Sequence, residues 1–234
     1  MKTIGLLGGM SWESTQSYYR LINQGVNARL GGLHSAELVL YSVDFAPIEK
    51  LQHQGEWAQT AALLSHGAQQ IEKAGADALL ICTNTMHKVA DEIASAIRIP
   101  LLHIADATGE ILQQRGVKTV GLLGTAFTME QDFYRARLQQ KFGLEVLVPP
   151  AEQRQTVHRI IYDELCAGKI VPASKTAYLQ IMDALAARGA EAVILGCTEI
   201  GLLVQQQDTA IPLLDTTEIH AAKAVAFALE TPTP

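Results

Sequence analysis

Two apolar runs in this chain end in the same way. ADALLICTNT (76–85) and AEAVILGCTEI (190–200) both pass through small and branched residues and stop on Cys-Thr, at Cys82-Thr83 and Cys197-Thr198. A continuous apolar run bounded by turn residues is the mark of a parallel strand covered on both faces, so the chain is expected to build that strand twice. The repetition extends further. KTIGLLGG (2–9) returns as KTVGLLGT (118–125), and IPLLHI (99–104) returns as IPLLDT (211–216). Lys118 stands 116 residues after Lys2, Cys197 stands 115 after Cys82, and Ile211 stands 112 after Ile99. Three landmarks in one order at nearly one offset predict an internal duplication: two similar parallel-sheet α/β domains related by pseudo-twofold symmetry.

The stretches between the landmarks read as helices. Ser11 can cap a helix running to Leu30, with Gly31-Gly32 closing it. AELVLYSV (36–43) is a second strand, a helix over 56–74 ends at Gly75, and ADALLIC (76–82) is a third strand. A helix from about Asn84 to Ile97 and a fourth strand at IPLLHI complete the first unit. Each IPLL segment hands the chain to a helix. The first lobe is therefore expected to hold 1–103 plus 212–234, and the second 104–211, with the TPTP tail (231–234) disordered.

Composition narrows the classes of function. The chain has 234 residues, 48% of them hydrophobic and 18% charged, enough for a sizeable core. Its net charge is −6 and it has no lysine or arginine run. That argues against a nucleic-acid partner, which needs a clustered basic face. No apolar run is long enough to cross a bilayer, so no membrane partner is expected. IGLLGG (4–9) is short and is followed at once by Trp12 and Glu13, so it reads as a strand and not as a leader. Three cysteines without a C-x-x-C pair point to a reducing, cytoplasmic compartment and no disulfide framework. They and the scattered histidines are too dispersed for a metal site.

Ligands of open α/β sheets sit beyond the carboxyl ends of the strands. Both Cys-Thr pairs lie there, so two units facing each other across a cleft would bring two thiols to opposite sides of one small molecule. That arrangement suits moving a proton off one face of a carbon and onto the other, with one cysteine as thiolate and one as thiol. A helix start after Cys82 is expected to lower its pKa. Backbone amides with Thr83, Asn84, Thr85, Thr125 and Thr198 would form a donor-rich nest for a carboxylate. A lone cysteine at a strand end is usually a small buried hydrophobe; the symmetric recurrence sets Cys82 and Cys197 apart. Cys166 has no counterpart and reads as packing. His87 reads as a supporting residue or a cap, Gly8-Gly9 as a tight strand-to-helix turn, and Trp12 and Trp57 as core or lid.

GLLGGMSWEST (5–15), ICTNTMHKVAD (81–91), LLGT (122–125) with FTMEQDFYRARL (127–138), and VILGCTEIGLL (193–203) together resemble the aspartate/glutamate racemase family, on the side of its broad-specificity members acting on L-aspartate and L-glutamate. The likeness runs over about residues 1–229. It implies a cofactor-independent two-base racemase of acidic amino acids and a homodimer, with Cys82 and Cys197 as the proton donor and acceptor. It also implies that Met10, Gln52, Thr83-Asn84-Thr85, Thr125 and Thr198 surround the substrate, with Gly9, His87 and Glu199 supporting them. Many aspartate racemases of the family carry a lysine at the position of Cys166 and an arginine within the region matching 45–55. This chain has neither, which fits a more tolerant site with Gln52 as a neutral donor.

Other readings remain. An isomerase of a maleate-type diacid would form a thioether adduct at one cysteine. A two-lobed binder of small carboxylic acids would use the same cleft without chemistry. A redox pair would need Cys82 and Cys197 with Cα atoms within about 7 Å.

Overall fold

The first strand, β1 (Ile4–Gly8), has only apolar residues and glycine and is buried along its whole length, so both its faces must be covered. A computed structural model, describing residues 1–230, shows what covers them; the TPTP tail, expected to be disordered, lies outside the described residues. Ser11 caps α1 (Trp12–Leu30), its Oγ accepting the Ser14 amide, and Gly31 at φ 73° ends that helix. β2 (Leu38–Ser42) follows, then α2 (Phe45–Gln54), capped by Asp44, and α3 (Trp57–Lys73). β3 (Ala78–Ile81) completes a parallel sheet of order β2-β1-β3.

Two elements differ from expectation beyond β3. In place of one helix over 84–97 there is a 3-10 turn, Thr85–Val89, and a short α4 (Ala90–Ser95), because Val89 leaves helical geometry at φ −110°, ψ 23°. IPLLHI forms only a single bridge, Leu101 with Leu79. The next amide of that ladder, on Ile104, donates to His87 Nε2 at 3.2 Å and not to β3.

The second half begins with α5 (Ile104–Gln114) and β4 (Thr119–Gly124), followed by α6 (Ala126–Glu130) and α7 (Asp132–Phe142). β5 (Glu145–Leu147), α8 (Ala151–Asp163) and α9 (Pro172–Ala187) lead to β6 (Ala192–Gly196), α10 (Ile200–Leu203) and β7 (Leu213–Asp215). Its four parallel strands run in the order β5-β4-β6-β7. α11 (Thr216–Leu229) closes the described chain. The chain is thus α/β with two parallel sheets. It divides into two compact units, Met1–Ile104 with the chain from Thr217 onward, and Ala105–Thr216. In each unit the first strand lies between the second and the third.

Strand alternation sorts the side chains of unit 1 into two cores. Ile4, Leu6, Ala78, Leu80 and Cys82 pack with Tyr18, Ile22 and Val26 of α1 and Ala221, Ala224, Val225 and Ala228 of α11. Leu7, Leu79 and Ile81 point the other way, onto Ile48 of α2, Leu64, Ala68 and Ile71 of α3, and Met86. In unit 2 the core gathers Leu123, Val193 and Leu195 with Val157, Ile160 and Ile161 of α8 and Tyr178, Ile181 and Leu185 of α9. No helix among the described residues is long and apolar enough to cross a membrane.

Two features of these cores give tests. Gly124 and Gly196 are register partners on β4 and β6, and a Cβ on Gly124 would lie 2.8 Å from the Gly196 carbonyl oxygen. Because that neighbour is backbone, Gly124→Ala should destabilise the protein by about 1–3 kcal/mol, read from urea unfolding. His87 and His220 are buried, and burial lowers both their pKa values, that of His220 to about 4. The unfolded chain binds protons at about pH 6.5 while the fold does not. Stability is therefore full above that pH and falls below it, by about 1.4 kcal/mol per pH unit per histidine, levelling off for His220 near pH 4. Unfolding midpoints at pH 7.5 and 5 should show that loss.

Candidate active site

β3 and β6 lead into the two Cys-Thr turns. The Cys82 amide donates to the Leu7 carbonyl at 2.9 Å, carrying the β1–β3 ladder one residue past β3. Alternation therefore continues, and the Cys82 side chain joins the core against α1 and α11, fully buried. The Ser14 hydroxyl donates to the Cys82 carbonyl at 2.9 Å, and the His87 Nδ1–H donates to the Thr83 carbonyl at 2.8 Å. Thr83 is half-buried, while Asn84 and Thr85 are buried. Burial raises the Cys82 thiol pKa. This reverses the expected lowering: no regular α-helix begins here, and the sulfur lies among aliphatic side chains with no charge to offset the loss of water.

Gly9 supports the same turn from β1. Its backbone is at φ +96°, its amide donates to Thr15 Oγ1 at 2.8 Å, and a Cβ there would collide with the Val43 carbonyl oxygen. Met10 is buried in the cluster with Ile48, Ile81 and Met86. Gln52 lies one turn after Ile48 on the buried face of α2. Unit 1 thus gathers Gly9, Met10, Gln52 and the Cys82–His87 stretch at one end of its sheet.

In unit 2, Thr125 follows β4 and caps α6 by accepting the Thr128 amide. Cys197 follows β6 and is half-buried. Its thiol donates to Glu199 Oε2 at 3.0 Å, and the Thr198 hydroxyl donates to the same oxygen at 2.6 Å. The Thr198 donor expected in the nest is therefore turned onto Glu199. Burial, the neighbouring Glu199 carboxylate and Cys166 all raise the Cys197 pKa, which keeps it a thiol bearing a proton near neutral pH.

The two thiols are not in equivalent places in their sheets. Ile4 pairs with Ala78 on β3, and Val120, its counterpart at 116 residues, pairs with Ala192 on β6. Counting from those partners, Gly196 matches Cys82 and Cys197 matches Thr83. The sequence repeat aligns cysteine with cysteine, whereas the sheets align Cys197 with Thr83. A shift of one residue along a strand turns a side chain to the opposite face.

Cys166, read as packing, is exposed. α8 stops at Asp163 and the 3-10 turn Leu165–Ala167 buries Leu165 while turning Cys166 outward. Trp12 is exposed, and Trp57 is half-buried with the Lys88 ammonium 4.4 Å from its ring centroid. Sequence reasoning missed Ser14, which anchors the Cys82–Thr83 turn, and Thr15, which anchors Gly9; their place in the first turn of a helix following Gly-Gly was the available signal. The three cysteines are free, and no group of acidic, histidine or cysteine side chains among the described residues is arranged to hold a metal.

The electrostatics give one test. Replacing Glu199 by Gln removes the anion beside Cys197, so the thiolate forms more readily. The rate of Cys197 alkylation by iodoacetamide, followed residue by residue by mass spectrometry, should rise at lower pH in E199Q than in the parent.

Residues 7–224 match the family model for Asp/Glu/hydantoin racemases. The chain is 23% identical to the broad specificity amino-acid racemase RacX of Bacillus subtilis strain 168, over 95% of this chain and 96% of that relative. It is similar to the crystal structure of a candidate Asp/Glu racemase from Yersinia pestis, at 55% identity and a TM-score of 0.94, covering 98% of this chain and 100% of that one. The aspartate racemase homologue PH1733 from Pyrococcus horikoshii OT3 is 35% identical with a TM-score of 0.86, again over 98% and 100% of the two chains.

Proposed function

The chain belongs to the Asp/Glu/hydantoin racemase family, and from that premise we propose that it is a cofactor-independent racemase of acidic amino acids, glutamate or aspartate. The observation carrying this reading is the half-buried Cys197 thiol at a strand end, its proton held by Glu199, together with a second Cys-Thr turn at the matching strand of unit 1. One group takes the α-proton, the electron pair moves into the substrate carboxylate, and a group on the other face returns a proton to the α-carbon. Thr83, Asn84, Thr85, Thr125 and Thr198 surround the substrate with Met10 and Gln52, and Gly9, His87 and Glu199 hold them in place. The two lobes are 1–104 with 217–230 and 105–216, since β7 pairs with β6 in the second sheet. The protein acts as a homodimer in the reducing cytoplasm, which suits its three free thiols.

In the two-thiol reading, Cys82 serves the face opposite Cys197. Both thiols have raised pKa values, so the thiolate forms beside the α-ammonium cation of a bound substrate. A second reading is favoured by the sheet register: Thr83 stands where Cys197 stands, and presents a hydroxyl to that face. A hydroxyl delivers a proton but is a weak base near neutral pH. Cys197 would then remove and return the proton of one enantiomer many times for each inversion.

Incubation of each enantiomer of glutamate and aspartate in deuterium oxide, followed by NMR and chiral chromatography, tests both. Racemisation with loss of the Cα–H signal is expected, and Cys197→Ser should reduce it by about 10³-fold. Two working thiols place deuterium almost wholly in the inverted product, and Cys82→Ser then costs as much as Cys197→Ser. If Thr83 is the second group, deuterium enters one enantiomer faster than it inverts, and Thr83→Val is the damaging change. No exchange with either amino acid contradicts the racemase reading, and near-normal turnover in C197S contradicts the role of that thiol.

A further inference from the structure

Behind the Cys82–Thr83 turn, unit 1 buries three histidines, His87, His103 and His220. The His87 ring stands 4.5 Å from His103 and 5.8 Å from His220, centroid to centroid. Their partners fix the protons. The Thr83 carbonyl can only accept, so the His87 Nδ1 at 2.8 Å carries hydrogen. The Ile104 amide can only donate, so the His87 Nε2 at 3.2 Å is bare. The Leu102 carbonyl likewise fixes a hydrogen on His220 Nε2 at 2.6 Å; burial lowers the pKa of that ring to about 4, so its Nδ1 is bare and accepts from the Tyr18 hydroxyl at 2.8 Å. Both rings are therefore neutral single tautomers. His87 cannot take a second proton without setting an N–H against the Ile104 amide, which can only donate.

We propose that His87 is a positioning residue: one edge of its ring fixes the Thr83 carbonyl, the other fixes Ile104, and His220 with Tyr18 fixes the neighbouring Leu102. The bridge ties the reactive turn to residues 102–104, the stretch through which the chain leaves unit 1. Ser14 on the Cys82 carbonyl is the second anchor of that turn. With both carbonyls held, the Cys82 and Thr83 side chains lose the freedom to exchange faces. Placement of a reacting group within a fraction of an ångström is worth about 10²-fold in rate. The proposal rests on the racemase reading for its rate measurement alone, since the accessibility of Cys82 reports the turn's closure without any turnover. Cys82 is fully buried, so a thiol reagent reaches it only when the turn opens.

Three variants separate positioning from space-filling. Asn at 87 keeps a donor near the place of Nδ1 but is smaller than histidine. Leu fills the volume and offers no hydrogen bond. Gln fills the volume and places its amide nearer to Nε2. If His87 positions the turn, H87L loses about 100-fold in kcat with KM changed by less than about 3-fold, whereas H87N loses less than about 10-fold. Iodoacetamide labelling of Cys82, read by mass spectrometry with the exposed Cys166 as internal standard, then rises about 10-fold or more in H87L and less in H87N. If H87L does not fold, judged by circular dichroism and its melting transition, H87Q takes its place, with its rate and labelling still worse than those of H87N. Space-filling alone predicts the reverse order, with Leu and Gln better than Asn. That order, or Cys82 labelling in H87L within twofold of the parent, overturns the proposal. If the parent protein racemises nothing, the labelling order still decides it.

Discussion

The 2.9 Å hydrogen bond from the Cys82 amide to the Leu7 carbonyl determines how unit 1 presents its reactive turn. It keeps residue 82 in the β1–β3 ladder, so the alternation that sends Ala78 and Leu80 toward α1 and α11 sends Cys82 there too. The next residue, Thr83, is the first that can face away from that core. In unit 2 the ladder reaches the matching position at Gly196, paired with Gly124, and Cys197 is the first residue past it. The cysteine thus stands one position further along its strand in unit 2, which gives the two Cys-Thr turns different environments. One thiol sits among aliphatic side chains; the other is half-buried against a carboxylate.

The electrostatic consequences follow from burial. Neither thiol has a cation placed to stabilise its anion, and both have raised pKa values. A site that keeps its thiols neutral until a charged substrate arrives avoids holding a buried thiolate without a cation beside it. Glu199 strengthens this on the Cys197 side by holding the thiol proton and opposing a second negative charge. On the other side, neutral histidines hold the turn through carbonyl and amide groups alone, and add no charge near Cys82.

Much of this was legible in the chain. β1, β4, β6 and the cap at Ser11 lie where apolar runs and turn residues placed them, because a parallel strand covered on both faces admits few polar residues. The paired Cys-Thr endings located both turns. The register could not be read in the same way, since aligning Cys82 with Cys197 assumes that both cysteines hold the same place in their ladders, and strand pairing sets that place. Val89 broke the expected helix over 84–97 through a local backbone choice that propensity does not encode. IPLLHI shrank to one bridge although IPLLDT, with a proline at the same place, forms β7; the Ile104 amide is taken by His87, a partner from another segment that the repeat does not reveal. The residues supporting the turn, His103, His220, Ser14 and Tyr18, come from distant segments, and only the packing of α1 and α11 on one face brings Tyr18 and His220 together.

Sheet register turns Cys82 into the core and leaves Cys197 half-buried beside Glu199. The rate of iodoacetamide alkylation at each cysteine of the unmodified protein, with and without glutamate or aspartate and resolved by mass spectrometry, tests this. Cys166 should react fastest whether or not the amino acid is present, Cys197 should react measurably and be protected by it, and Cys82 should react slowest under both conditions. Labelling of Cys82 as fast as that of Cys197, with equal protection by substrate, would contradict that placement and restore two equivalent thiols.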